Sequence, residues 1–236
     1  MIPEGCVWNE VELQRGDLLN RGLLSLLIIQ DNLLPRLVGS AFIVQAGGDR
    51  IVAVSATHCF EAIRDILHPD PVHHASALPE FLPVPKEIDL KQVKGVYVCG
   101  ASVAICPIEQ AWWDRDTDLA IFTVVQPDDG QIDFKEFLLD NTLPEVGDPV
   151  TMVGFGEMAV TPYTSEERKG ILQRRLVMRI GYVEEVYRER YCMLNIPCVQ
   201  TSIAVFPGMS GGAVFRGWPE PTGTSCIPSF STESVA

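Results

Sequence analysis

The sequence predicts an all-β protein: two packed antiparallel β-barrels of about six short strands each, the second incomplete. Two observations point there. Apolar and β-branched runs of strand length recur along the chain, separated by turns rich in Gly, Pro and Asp. These runs fall into two sets, alike in kind, divided by a polar and then prolyl stretch from Asp128 to Pro144 that suits a linker. Residues 18–128 are read as the N-terminal barrel, 129–217 as the C-terminal barrel and 218–236 as an atypical tail.

In chain order, Leu23 to Gln30 is a buried strand or a short helix, which periodicity alone does not decide. Val38 to Gln45 and Arg50 to Ala56 flank the turn Gly47-Gly48-Asp49 and read as a hairpin. It runs into Thr57-His58-Cys59, and then Phe60 to Leu67 has the spacing of one or two helical turns. Residues 69–89 hold Pro69, Pro71, Pro79, Pro83 and Pro85 and read as a long loop, with His73 and His74 solvated in it. Val96 to Ile105 is a strand or a pair of strands, and Asp114-Arg115-Asp116-Thr117-Asp118 turns into the apolar run Leu119 to Val125. In the second half, Gly147 to Gly156, Leu172 to Glu185 and Tyr191 to Val205 supply strands ahead of Pro207 to Phe215, PGMSGGAVF. The 21 residues after Phe215 contain Pro219, Pro221 and Pro228 with no alternating apolar run, so they make poor central strands.

Composition narrows the function. A chain of 236 residues can bury a sizeable core. Its net charge of −13 opposes nucleic acid and anionic membrane as partners, because phosphate backbones reward clustered Lys and Arg. The start lacks a basic opening followed by an apolar core, and the apolar run Gly22 to Ile29 is far shorter than the roughly 20 residues that cross a bilayer. A soluble cytoplasmic protein is expected. The seven cysteines, Cys6, Cys59, Cys99, Cys106, Cys192, Cys198 and Cys226, are odd in number and form no CxxC pair, which suits free thiols. Cys192 and Cys198 match no common zinc spacing, and neither metal nor cofactor is expected.

The stretch Pro207 to Phe215 sets Ser210 between glycines ahead of a strand. Such a turn exposes a hydroxyl and lets backbone N–H groups face a reacting carbonyl, although a glycine-rich hairpin with an incidental serine has the same letters. His58 stands at the end of one strand-like run and Asp118 at the start of another, a place where a carboxylate is held with little freedom. Asp114 and Asp116 read as solvated turn residues. GMSGG also satisfies the G-x-S-x-G elbow, but that scaffold needs its acid and histidine after the serine, and no His or Asp follows Ser210. A subtilisin-like order needs an aspartate ahead of His58. Asp17, Asp31 or Asp49 could serve, yet the alternating strand and helix pattern is absent.

At SATHC around His58, DLAIF at Asp118 and PGMSGGAVF at Ser210, the sequence resembles the trypsin-like, chymotrypsin-fold serine peptidases, nearest to their bacterial, HtrA-type branch. The resemblance spans roughly residues 23–215. It implies that Ser210 attacks a peptide carbonyl, that His58 carries its proton, and that Asp118 orients the imidazole. It further implies an oxyanion hole at Gly208, Met209 and Ser210, formed by the Gly208 and Ser210 amides, and a primary pocket at Ala204 and Val205. The substrate would be a polypeptide. Cys59 would be a small buried apolar residue, since its usual partner has no match in Val38 to Gln45.

Two departures carry expectations of their own. Met209 stands where zymogen-activated members carry an aspartate, so activation through that ion pair is not expected. Ala204 stands where tryptic members carry the aspartate selecting Arg or Lys, so a small-to-medium apolar P1 residue is expected. The strands that should wall the pocket after Phe215 are missing, which raises a second reading: an inactive peptidase-fold module that binds or scaffolds, with an open sheet edge for a pairing partner. A third reading takes the motifs as turns of an unrelated β protein, with His58, Asp118 and Ser210 far apart.

Overall fold

The structure, a computed structural model, describes residues 10–12, 18–29, 35–48, 50–67, 88–99, 102–126, 134–162, 170–191, 194–217 and 225–228. His73, His74, Cys6 and Cys192 lie outside them.

Strands β2 (Leu23–Ile28), β3 (Arg36–Gly47), β4 (Arg50–Ala56), β5 (Val93–Cys99), β6 (Ser102–Asp114) and β7 (Leu119–Val125) close into one barrel in the order β2-β3-β4-β7-β6-β5. Every neighbouring pair is antiparallel. The run that periodicity left open is strand β2, and all six of its residues are buried. The cause is a double interface: Leu24 and Leu26 point into the barrel with Ala41, Ile51 and Phe122, while Leu23 packs outward on Phe42, Phe137 and Phe215. The β3–β4 hairpin turns at Gly48 in the left-handed region, φ 67°. Between β4 and β5 lies the helix α1 (Thr57–Leu67), which buries Cys59, Phe60 and Ile63.

The second half forms a sheet from β1 (Glu10–Glu12), β8 (Leu138–Leu139), β9 (Pro149–Pro162), β10 (Gly170–Tyr187), β11 (Cys198–Thr201), β12 (Ala213–Arg216) and β13 (Ser225–Pro228). Its order is β1-β10-β9-β12-β13-β8, with β11 on the edge of β10, and among the described residues it does not close. The expectation of no strand after Phe215 is corrected by β13, which pairs antiparallel with β12 at Ala213, Val214 and Phe215. Pro228 sits at the end of the ladder, where a missing N–H interrupts nothing. The sheet thus draws on residues 10–12 and 225–228, outside the ranges 18–128 and 129–217.

The two halves share a core. Leu23, Phe42 and Val54 of the barrel pack with Val153, Phe155, Ala213 and Phe215 of the sheet. The prolyl stretch read as a linker joins them: Phe134 packs tilted against Tyr97 with ring centres 4.7 Å apart, and Phe137, 2 % exposed, meets Phe215 edge-on at 5.2 Å. Among the described residues no helix is long and apolar enough to cross a membrane.

Candidate active site

His58 is the second residue of α1, at the point where β4 leaves the barrel. Thr57 binds the helix start to the β6–β7 turn. Its N–H donates to Asp118 O at 3.0 Å, and its hydroxyl lies 2.9 Å from both the Asp114 and Leu119 carbonyls. Asp118 holds φ 51°, a left-handed conformation that Asp tolerates better than most residues. The turn keeps it there: Asp116 N–H donates to Asp114 Oδ1 at 3.2 Å, Thr117 Oγ1 to Asp114 Oδ2 at 2.9 Å, and Asn195 N–H to Asp116 O at 2.9 Å. Arg115 pairs with Glu61 on α1. Asp114 is therefore the organiser of the turn, exposed though it is.

The Asp118 carboxylate grips His58 twice. Oδ1 accepts from the His58 backbone N–H at 3.0 Å and Oδ2 lies 2.8 Å from Nδ1. The Asp118 side chain is 15 % exposed and that of His58 43 %, so the ring keeps one side toward solvent. The hydrogen bond to Asp118, helped by the Cys59 side chain and opposed by burial, pushes the His58 imidazole up from 6.5 to about 10.

Ser210 reaches this corner through its backbone. Ser210 O accepts from Ser40 N–H at 2.7 Å, and Cys59 Sγ lies 3.6 Å from the same oxygen. Cys59 is a buried free thiol, as expected. Gly39 makes room for the meeting: a Cβ there would stand 2.5 Å from Cys59 Sγ and 2.9 Å from Ser210 O. The Ser210 hydroxyl itself has no hydrogen bond to His58 among the contacts of the described residues.

The turn carrying Ser210 is wedged between barrel and sheet. Gly208 and Gly211 hold φ 95° and 76°. A Cβ on Gly208 would meet Leu37 Cδ2 at 2.6 Å and Phe155 O at 2.8 Å; on Gly211, Ser55 Oγ at 2.2 Å and Ser40 O at 2.3 Å. These positions therefore require glycine for conformation and for space. A relay crosses the interface: Phe155 N–H donates to Ser40 Oγ at 2.7 Å, Ser40 Oγ–H to Gly208 O at 2.7 Å, and Ser55 Oγ–H to Ser40 O at 2.7 Å. Sequence reasoning missed Ser40 and Ser55. Their signal is faint, a serine inside each of two apolar strands.

Of the three residues expected at the oxyanion hole, Met209 donates its N–H to Phe206 O at 3.0 Å, and its side chain is fully buried. Among the described residues, the backbone hydrogen bonds of the turn do not engage the Gly208 and Ser210 amides. Ala204 is exposed and Val205 half-buried on the segment entering the turn. Among the described residues no group of three or more His, Cys, Asp or Glu side chains is placed to hold a metal ion.

The family model described as a trypsin-like peptidase domain matches residues 39–217, which takes in most of β3, α1, the Asp118 turn and the Ser210 turn. The chain belongs to the trypsin-like peptidase family. Two solved structures similar to it show the same fold. One, described as the crystal structure of Deg5, has a TM-score of 0.50 at 18 % identity over 89 % of this chain and 84 % of that one. The other, human heparin binding protein, has a TM-score of 0.51 at 14 % identity over 89 % of this chain and 80 % of that one. No curated protein matches. The trypsin-like peptidase fold accounts for the one closed barrel, the second sheet packed on it, and the meeting of α1 with the Ser210 turn at their junction.

Proposed function

We propose that this trypsin-like peptidase is a serine endopeptidase that cleaves polypeptides through an acyl-enzyme. The observation that carries the reading is the His58–Asp118 contact at 2.8 Å, formed beside a glycine turn whose serine carbonyl rests on the neighbouring Cys59. In the reaction Ser210 Oγ attacks the substrate carbonyl carbon as its proton passes to His58 Nε2. The tetrahedral oxyanion is held by the Gly208 and Ser210 amides, and the same proton then goes to the leaving amine. Asp118 keeps Nδ1 as the donor and stabilises the imidazolium. A hydroxyl and imidazole not yet bonded are common in substrate-free sites of this kind. Ala204 and Val205 would border the P1 side chain, and an apolar residue of small to medium size fits the absence of a charged side chain at either position.

A fluorophosphonate probe tests this directly. The wild-type protein should be labelled, and Ser210→Ala and His58→Ala should not; labelling that persists in Ser210→Ala excludes the mechanism.

One observation favours a second reading, a peptidase-fold module that binds rather than cleaves. Among the described residues β11 pairs only with β10, and the sheet stays unclosed at that edge, which would suit a strand from a partner chain. That reading expects no labelling of a folded protein and no hydrolysis of unstructured polypeptide.

A further inference from the structure

The turn holding Ser210 has an anchor that the site described above does not use. Arg179 lies on β10, 2 % exposed, on the face that also buries Val177 and Val183. The segment leading to the serine crosses this face at close range. Tyr182 and Ser202 exchange hydrogen bonds at 2.9 Å, Tyr182 N–H to Ser202 Oγ and Ser202 N–H to Tyr182 O. A Cβ on Gly181 would stand 2.5 Å from Ser202 Oγ and 2.6 Å from Ile203 Cγ1. One step along the same face, Arg179 Nη1 donates to Ala204 O, and its guanidinium carbon sits 3.5 Å from the centre of the Phe206 ring.

One planar cation thus fixes the segment twice, by a carbonyl and by an aromatic face, a combination that suits the flat Arg fork better than the compact Lys ammonium. Phe206 passes the constraint on. Its carbonyl accepts the Met209 N–H at 3.0 Å and closes the turn that sets Gly208 at φ 95°. Met209 is buried and uncharged, so the turn has no ionic anchor of its own at that residue.

We propose that Arg179 is a positioning residue. It holds Ala204 to Phe206 so that the Phe206–Met209 turn keeps the Gly208 and Ser210 amides facing the position of a substrate oxyanion. The catalytic consequence rests on the peptidase reading. The conformational one does not.

Arg179→Lys keeps the charge but loses the planar face, and Phe206→Leu keeps an apolar side chain but loses the ring. The reporter is amide hydrogen exchange at Met209, read beside Phe155 N–H, which donates to Ser40 Oγ at 2.7 Å. Both variants should lose at least about tenfold of the Met209 protection while Phe155 keeps its own. Under the peptidase reading kcat should also fall about tenfold with KM unchanged, a fraction of the 10²–10³ lost with a whole oxyanion donor. Unchanged Met209 exchange in either folded variant overturns the proposal, as does full rescue by lysine. An unlabelled wild-type protein would count against peptidase activity alone, and the exchange result would still decide the role of Arg179.

Discussion

Ser40 Oγ donates to Gly208 O at 2.7 Å, tying residue 40 of the barrel to residue 208 of the serine turn. The same oxygen accepts Phe155 N–H from the sheet at 2.7 Å. A single buried hydroxyl therefore fixes the turn relative to both halves, and the Ser40 amide holds Ser210 O one residue pair further on. A strand serine does here what no apolar residue could, because it satisfies a buried backbone N–H and a half-buried carbonyl at once.

Ser40→Ala removes that hydroxyl and with it the hydrogen bonds to Phe155 N–H and Gly208 O. Losing the bond at a buried group costs about 1–3 kcal/mol, so the variant should unfold at clearly lower denaturant with its slope unchanged. Ser40→Thr offers the same donor and acceptor with one extra methyl. It should recover more of the loss than Ser40→Cys, measured by urea unfolding under identical conditions.

Two glycines with similar conformations should respond differently to alanine. Gly48, φ 67°, has nothing within 4 Å of an added Cβ, whereas Gly211, φ 76°, has Ser55 Oγ at 2.2 Å and Ser40 O at 2.3 Å. Gly48→Ala should cost only the left-handed term, about 1–2 kcal/mol. Gly211→Ala adds displacement of backbone and of the Ser55–Ser40 hydrogen bond, and it should cost well above that or yield no folded protein. Thermal unfolding of the pair checks the difference. Equal losses would overturn the steric role assigned to Gly211.

The barrel was the most legible part of the chain, because β3, β4 and β7 are apolar runs ending in turns whose residues name themselves. His58 and Asp118 could be placed at strand ends for the same reason, and the structure joins them by hydrogen bonds. What stayed hidden depends on distant partners. Phe137 sits in a prolyl stretch and looked like linker, yet it fills a gap between β2 and β12. Strand β13 is four residues with a terminal proline, held by backbone pairing that leaves no pattern in side chains. Arg179 reads as one more charge in a strand of partial alternation, and its role is set by Ala204 and Phe206, which follow 25 and 27 residues later.

The His58–Asp118 pair also sets a pH dependence, with a definite sign. The imidazole is raised from 6.5 to about 10 in the folded protein, chiefly by the Asp118 hydrogen bond with Cys59 adding to it. The folded state then binds the proton more tightly than the unfolded state. The stabilisation is complete below the unfolded value and is lost as pH rises from about 6.5 to about 10. His58→Gln should lack that slope, giving a stability curve flatter than wild type over this window. Under the peptidase reading activity runs the other way, since a general base must be neutral, so the acid limb of kcat/KM should lie above 6.5. Asp118→Asn removes the charged acceptor. It should move the His58 titration, followed by the NMR signal of its ring proton, back toward 6.5, and under the peptidase reading it should lower kcat by about 10⁴. A midpoint that does not move in Asp118→Asn would mean that something other than Asp118 raises His58.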